Sequence, residues 1–461
     1  MLKKTKIVLV TMVAVASLLL ASATKTPQTQ TVEAQEPVVI TWFVGLGAGG
    51  DPPQIEAQNK VVADFNETHD DIQLEIVIAE NNVAYDTLNT LLNSPNPPDI
   101  VGPVGIRGAN AFDGNFADLE PLIEAAGYDL SQFPESLVDF YRVEGQGLIG
   151  LPFGQFPSMI FFNRDLFDAA GIPYPPQEYG APYADGEEWN FDKLREVAML
   201  LTLDANGNNA FSPDFDPENI VQFGFVNQFT DFRGAATSFG AGSFVDENGN
   251  AVMPPQWEEY TYWLYDAMWV DHFIPTANYE ASDLLANGNP FASGNVAMAM
   301  THLWYTCCLG EVSNWDLAVH PSYNGVVTAK LHADTFRILK ASQHPEEAFE
   351  VLAYLLGPAS DELLAVYGGV PARPEAQDAF FATLDERYPQ GVNWQVAIDS
   401  LAYPDNPNHE SNMPNFQKAD ERIKAFGSLL SSDGDLDLEE AINTLISDLQ
   451  AIFDEAKAES E

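Results

Sequence analysis

Residues 38–44 (VVITWFV) form an uncharged run of β-branched and aromatic side chains, the pattern of a strand covered on both faces. A glycine- and proline-rich loop follows at 45–53. Residues 54–66 then space Ile55, Val61, Val62 and Phe65 as one face of an amphipathic helix, and 72–79 (IQLEIVIA) returns to strand character. Strand, helix and strand in this order predict a parallel βαβ unit. A helix at 85–92 and a short strand at Ile100 and Val101 extend it. The first part of the chain therefore reads as an open α/β layer, with a ligand crevice beyond the carboxyl ends of its strands: residues 42–50, 80–82 and 102–107.

Further along, 147–176 predict a strand, a crossing segment, a strand and a short helix. Residues 192–201 predict a helix with Asn190 as N-cap, 221–226 a strand and 257–270 an aromatic helix. A helix at 345–356 ends at Gly357 and Pro358, and an amphipathic helix at 438–457 closes the chain. There is no internal repeat and no heptad seam.

Composition adds size and compartment. With 461 residues, 46% of them hydrophobic, the chain is folded and long enough for two lobes. Lys3, Lys4 and Lys6 precede an apolar run at 7–20 that closes on Ala21-Ser22-Ala23, so residues 1–23 are expected to be a secretory signal peptide. Thr24, Lys25 and Thr26 stand where a lipid-attachment cysteine would be expected, and 24–37 reads as a flexible spacer. The expected location is secreted and extracytoplasmic, in the periplasm or at the cell surface. The 68 acidic residues against 20 basic ones leave a net charge of −48, a field that repels nucleic acid and anionic membranes and tolerates a neutral or cationic ligand. The same excess equally fits a salty or acidic habitat.

The only cysteines, Cys307 and Cys308, are adjacent in THLWYTCC. In an oxidising compartment they either close a vicinal disulfide that stiffens the loop after Trp304 and Tyr305, or stay as two buried thiols. In DANGNN, Asp204, Asn206 and Asn208 occupy the first, third and fifth positions of a calcium loop. The match then degrades, with Asn209 and Phe215 where a glycine and a glutamate are needed, so a solvated turn competes with a calcium site. No other cofactor is expected, and the seven histidines are scattered without ligand spacing. No G-x-S-x-G elbow, H-E-x-x-H helix or Walker loop occurs, and GLGAGG at 45–50 lacks the lysine of a phosphate loop.

Five short motifs occur in the order of a known family. They are PPDIV (97–101), GLIGLPF (147–153), FFNRDLFDAAGI (161–172), FASGNVAMAMTHLW (291–304) and GGVPAR (368–373). In these the chain resembles the solute-binding proteins of ABC importers, in the carbohydrate-binding group that includes maltose-binding protein. It departs from the pattern between Pro175-Pro176 and Trp189, where an insertion separates residues the family keeps close.

The resemblance implies an α/β fold of two lobes joined by hinge crossovers, with a cleft that closes over a sugar. The expected lobes are 38–152 plus about 305–357, and 153–304 plus about 358–461. It implies a stacking role for Trp304, flanked by Tyr305, and places Phe43, Gln155, Phe156, Phe229, Asp231 and Phe416 in cleft-facing segments. Asn81, Arg107 and Arg373 are candidates for sugar hydroxyls, with a salt bridge inside one lobe as the alternative for the arginines. The implied role is non-enzymatic: a monomer that captures a neutral carbohydrate and delivers it to the permease subunits of an ABC importer. A secreted carbohydrate-active enzyme and a module feeding a membrane sensor are the alternatives.

Overall fold

The computed structural model describes residues 36–143 and 145–460, apart from the side chains of residues 136, 459 and 460. The expected signal peptide and nearly all of the spacer lie outside them. Among the described residues no helix is long and apolar enough to cross a membrane.

Strand β1 (Val38–Val44) lies parallel to both β2 (Ile72–Ile78) and β3 (Ile100–Val104). Helix α1 (Pro52–Thr68) crosses between β1 and β2, burying Ala57, Val61 and Phe65 at four-residue spacing, and α2 (Asn81–Leu92) precedes β3. Gln54 Oε1 accepts from Gly49 and Asp51 N–H at the start of α1 and ties the glycine loop to the helix. After β3 comes the six-residue helix α3 (Ile106–Ala111).

Strand β4 (Leu151–Asn163) decides the architecture. It has 13 residues, about 43 Å at the usual rise of ~3.3 Å per residue. The sequence predicts two strands here. One continuous strand forms instead, with Pro152 accommodated at a register shift opposite Thr335. Helix α4 (Phe191–Leu200) begins at the expected cap, where Asn190 Oδ1 accepts from Lys193 N–H at 2.9 Å. Next come β5 (Ile220–Asn227), α5 (Phe232–Ala236), α6 (Pro255–Trp269), β6 (Val296–His302), β7 (Trp315–Ala318) and β8 (Leu331–Ile338). Helices α7 (Pro345–Leu356), α8 (Ser360–Tyr367), α9 (Phe416–Ser432) and α10 (Leu438–Ser460) complete the frame.

The first half of β4 pairs with β8, and its second half with β6 and β7. One end therefore belongs to a core of Trp42, Phe65, Phe153, Phe336 and Leu352, and the other to a core of Phe161, Phe225, Trp257, Met298 and Trp315. Two more crossings lie against it. Ser158 N–H donates to Lys330 O at 3.0 Å, and Val370 and Pro371 pair with Gln155 and Gly154. Three neighbouring crossings joined by backbone hydrogen bonds leave few torsions about which the lobes can swing, the arrangement of a hinge.

Core membership places the lobe exchange later than residues 305 and 357. Tyr305, Val312 and Trp315 pack in the second core because β7 pairs with the far end of β4. Leu363, Leu364 and Tyr367 of α8 pack in the first.

Candidate functional site

A cavity of about 100 Å³ lies where the lobes meet, between α3, the 229–234 turn, the start of β8, residues 409–410 and the start of α9. Phe229 forms its rim. The residue stands at φ +50°, a left-handed conformation unfavourable for a bulky side chain, and its ring stays 50% exposed. The turn from β5 into α5 thus presents an aromatic ring where burial would be the default. That ring stacks on Trp304 at 6.2 Å and 17°, and Trp304 in turn lies 5.6 Å from the His302 ring at 20°. Trp304 touches both lobe cores. The three rings make an aromatic wall along the seam.

The cavity is also lined by charge. Arg107 on α3 of the first lobe donates through Nη1 to Asp231 of the second at 3.2 Å, and through Nη2 to Asp420 on α9. Its N–H reaches Glu410 Oε2 at 3.4 Å, and Asn110 Nδ2 donates to Glu410 O at 2.6 Å. The fork therefore latches the lobes together. Asp231 also caps α5 through Gly234 N–H at 2.9 Å. Burial opposes ionisation of Asp231, yet Arg107 and that N–H hold its carboxyl below the usual range. Burial alone would lower Arg107, but Asp420 and Asp231 outweigh it and raise it. Burial pushes Lys330 down to about 8, with Asp231 and Asp405 only partly offsetting it. Asp334 is pushed up to about 7 by burial and by Glu410 beside it.

Of the residues expected at the site, Arg107, Phe229, Asp231 and Phe416 line this cavity and Trp304 backs it. The others are elsewhere. Phe43 and Phe156 are buried under the sheet of the first lobe. Tyr305 is a core residue whose hydroxyl donates to Asn289 Oδ1 at 2.6 Å. Asn81 sits exposed at the start of α2 and donates to Gly45 O at 3.3 Å. Gln155 stands half-buried on β4, its backbone paired to Ala333 and Val370. Arg373 donates to Gly357 O and Ser360 Oγ, a contact inside the first lobe. Phe43, Phe156 and Tyr305 are lost to the core because a cleft-facing segment contributes only some of its side chains to the cleft, whereas Asn81, Gln155 and Arg373 lie away from this cavity with contacts of their own.

Cys307 and Cys308 are joined as a vicinal disulfide directly after the aromatic wall. In the candidate calcium loop, Asp204 Oδ1 accepts from Asn206 and Asn208 N–H, and Oδ2 from Asn208 Nδ2 and Asp216 N–H. These bonds, against an opposing desolvation, hold the carboxyl down at about 2 and shape a closed turn. The sequence reading missed Thr230, Lys330, His332, His409 and Glu410, which line the cavity from separate segments. No linear spacing marks them.

A family model described as bacterial extracellular solute-binding protein matches residues 51–362. A mannitol-binding protein of Pseudomonas aeruginosa is 33% identical over 114 residues, 24% of this chain and 26% of that one. An uncharacterized lipoprotein of Streptomyces antibioticus is 27% identical over 153 residues, 33% and 31% of the two chains. The chain thus spans about a third or less of the length of these curated relatives. Among solved structures, an ABC substrate-binding protein from Listeria monocytogenes in complex with cycloalternan superposes with a TM-score of 0.70 at 19% identity, covering 90% of this chain and 98% of that one.

Proposed function

The chain belongs to the bacterial extracellular solute-binding proteins, and on that premise we propose that it captures a carbohydrate between its lobes and hands it to the permease of an ABC importer. The observation that carries the sugar assignment is the Phe229–Trp304 stack beside the Arg107–Asp231 pair at one cavity in the seam. A sugar ring presents apolar C–H faces to flat rings and a belt of hydroxyls to charged acceptors and donors. A partial sequence relative named for mannitol and a structural neighbour solved with cycloalternan support the same class.

The cavity of about 100 Å³ is well below the ~300 Å³ at which ligand pockets begin, so an oligosaccharide enters only when the lobes part. Binding then favours closure by its contacts to both lobes at once. Capture in this reading is non-enzymatic and made by a monomer. Calcium has no part in it: with Asp204 engaged by four N–H donors, millimolar calcium should leave the melting temperature unchanged, and a rise would restore the calcium reading.

A thermal-shift screen of the chain from Thr24 against mono-, di- and oligosaccharides, with amino acids and polyamines as controls, tests the proposal. A rise with one sugar series and no turnover supports it. Turnover of the sugar points to the enzyme reading, and a rise only with amino acids or polyamines overturns the carbohydrate assignment.

A further inference from the structure

The floor of the cleft holds a cluster that sugar capture does not use. His332, on β8 in the hinge, and His409 and Glu410, on the segment before α9, each offer a ligand atom, and those atoms lie within 4.8 Å of one another. All three residues line the cavity. They come from two segments more than seventy residues apart.

His409 is held from behind. Its Nδ1 stands 2.6 Å from Asp405 Oδ2, whose side chain is fully buried. The same carboxylate accepts from His409 N–H at 2.7 Å, Leu331 N–H at 2.8 Å and Asn408 Nδ2 at 3.2 Å. An ionised carboxylate only accepts, so Nδ1 carries the proton and the lone pair is on Nε2. Imidazoles that bind metals are oriented in this way by a carboxylate behind them.

The other ligands are similarly placed. His332 Nδ1 stands 3.4 Å from Glu410 Oε1, a separation that two ligands about 2.1 Å from one tetrahedral ion adopt. The His332 and His409 rings lie 4.9 Å apart, inclined at 70°. A separate observation points to a missing partner. His302 is 1% exposed, neither of its ring nitrogens has a hydrogen-bond partner, and its ring packs edge-on against His332 at 4.1 Å. A buried polar ring without partners in the protein is an uncompensated desolvation, and it marks this corner as short of a polar or coordinating partner.

We propose that His332, His409 and Glu410 bind one divalent transition-metal ion of the zinc class at the floor of the cleft. Two imidazoles and one carboxylate form a nitrogen-rich set that suits zinc, whereas calcium and magnesium require mostly oxygen ligands. Three protein ligands leave a fourth position open to the cavity, whose volume of about 100 Å³ has room for water. Arg107, Arg233 and Lys330 also line the cavity, but Asp231, Glu410 and Asp420 balance them, and Asp405 behind His409 adds a fourth carboxylate. The ion would sit beside the Arg107 and Asn110 contacts that join the lobes.

The test uses the full chain from Thr24, stripped with EDTA and titrated calorimetrically with zinc sulfate alone. The expected result is one ion per chain, with no heat from calcium or magnesium. His332→Gln and His409→Gln should each weaken zinc at least 10-fold, and Asp405→Asn by about 10- to 100-fold through loss of orientation. His344→Gln, at an exposed surface position, should not change it. Should a buried variant fail to fold, cobalt(II) added to the wild-type chain still decides: visible bands of a four-coordinate centre with imidazole ligands, displaced by zinc, support the site. Absence of stoichiometric zinc binding, absence of those bands, or undiminished zinc binding by the folded His332 and His409 variants overturns the proposal. Sugar binding measured with and without EDTA is read separately, so a failure here leaves the capture reading standing.

Discussion

Replacing Arg107 with methionine should unlatch the lobes while leaving each of them folded. Methionine retains an apolar stem and removes the guanidinium that bridges Asp231 and Asp420. The side chains of Arg107, Asp231 and Asp420 are 26%, 27% and 13% exposed, so the network lies between two limits. Fully exposed ion pairs contribute about 0–1 kcal/mol, and removing one partner of a fully buried pair costs about 3–5 kcal/mol. Asp420 keeps a second cation, Lys424, at 3.2 Å, which softens the loss. An estimate of about 1–2 kcal/mol follows, a 5- to 30-fold shift from closed to open. Single-molecule energy transfer between labels at Asn89 in the first lobe and Glu247 in the second, both exposed, measures that ratio directly. Ligand affinity should fall in proportion to the lost closed fraction, reaching the same factor when the closed form is the minor one, because only the closed form completes the site. An unchanged distance distribution in a folded variant would refute the latch and leave Arg107 with ligand contact alone.

Phe229→Gly should separate binding from stability. Glycine tolerates φ +50°, so the melting temperature should hold or rise, while loss of the stacked ring should weaken the sugar by about 1–3 kcal/mol in a titration; a large fall in melting temperature would show that the ring serves the core. Tyr305→Phe should do the reverse, costing about 1 kcal/mol in denaturant unfolding through the lost bond to Asn289 with sugar affinity intact. Altered affinity would put Tyr305 back in the site. Burial holds His320 down at about 3 against an ordinary 6.5, so it favours folding fully above pH 6.5 and progressively less as pH falls toward 3. His320→Gln should therefore show a shallower loss of unfolding free energy across pH 6.5 to 4 than the wild type, and parallel curves would count against the buried neutral imidazole.

Much of the first lobe was legible in the linear pattern. A strand at 38–44 and helices ending near Leu92 and Leu356 appear because apolar runs, period-3.6 faces and the Gly357 stop act within a dozen residues. The reading of 147–163 as two strands failed for a physical reason. Prolines at 152 and 157 normally interrupt a strand, but pairing with β8 on one side and β6 on the other holds the whole segment extended.

Site residues divided along the same line. Trp304, Phe229, Asp231, Arg107 and Phe416 could be nominated from segment position and residue type. Which way each ring faced could not, and Phe43, Phe156 and Tyr305 turned inward. The sequence by itself determined the βαβ start, the family motifs and the adjacency of Cys307 and Cys308, because these depend on neighbours along the chain. Only the tertiary structure decided that Arg107 joins the two lobes and that His302, His332 and His409 meet at the cleft floor, because those contacts span 30 to 313 residues and are set by how the hinge strands bring the cores together.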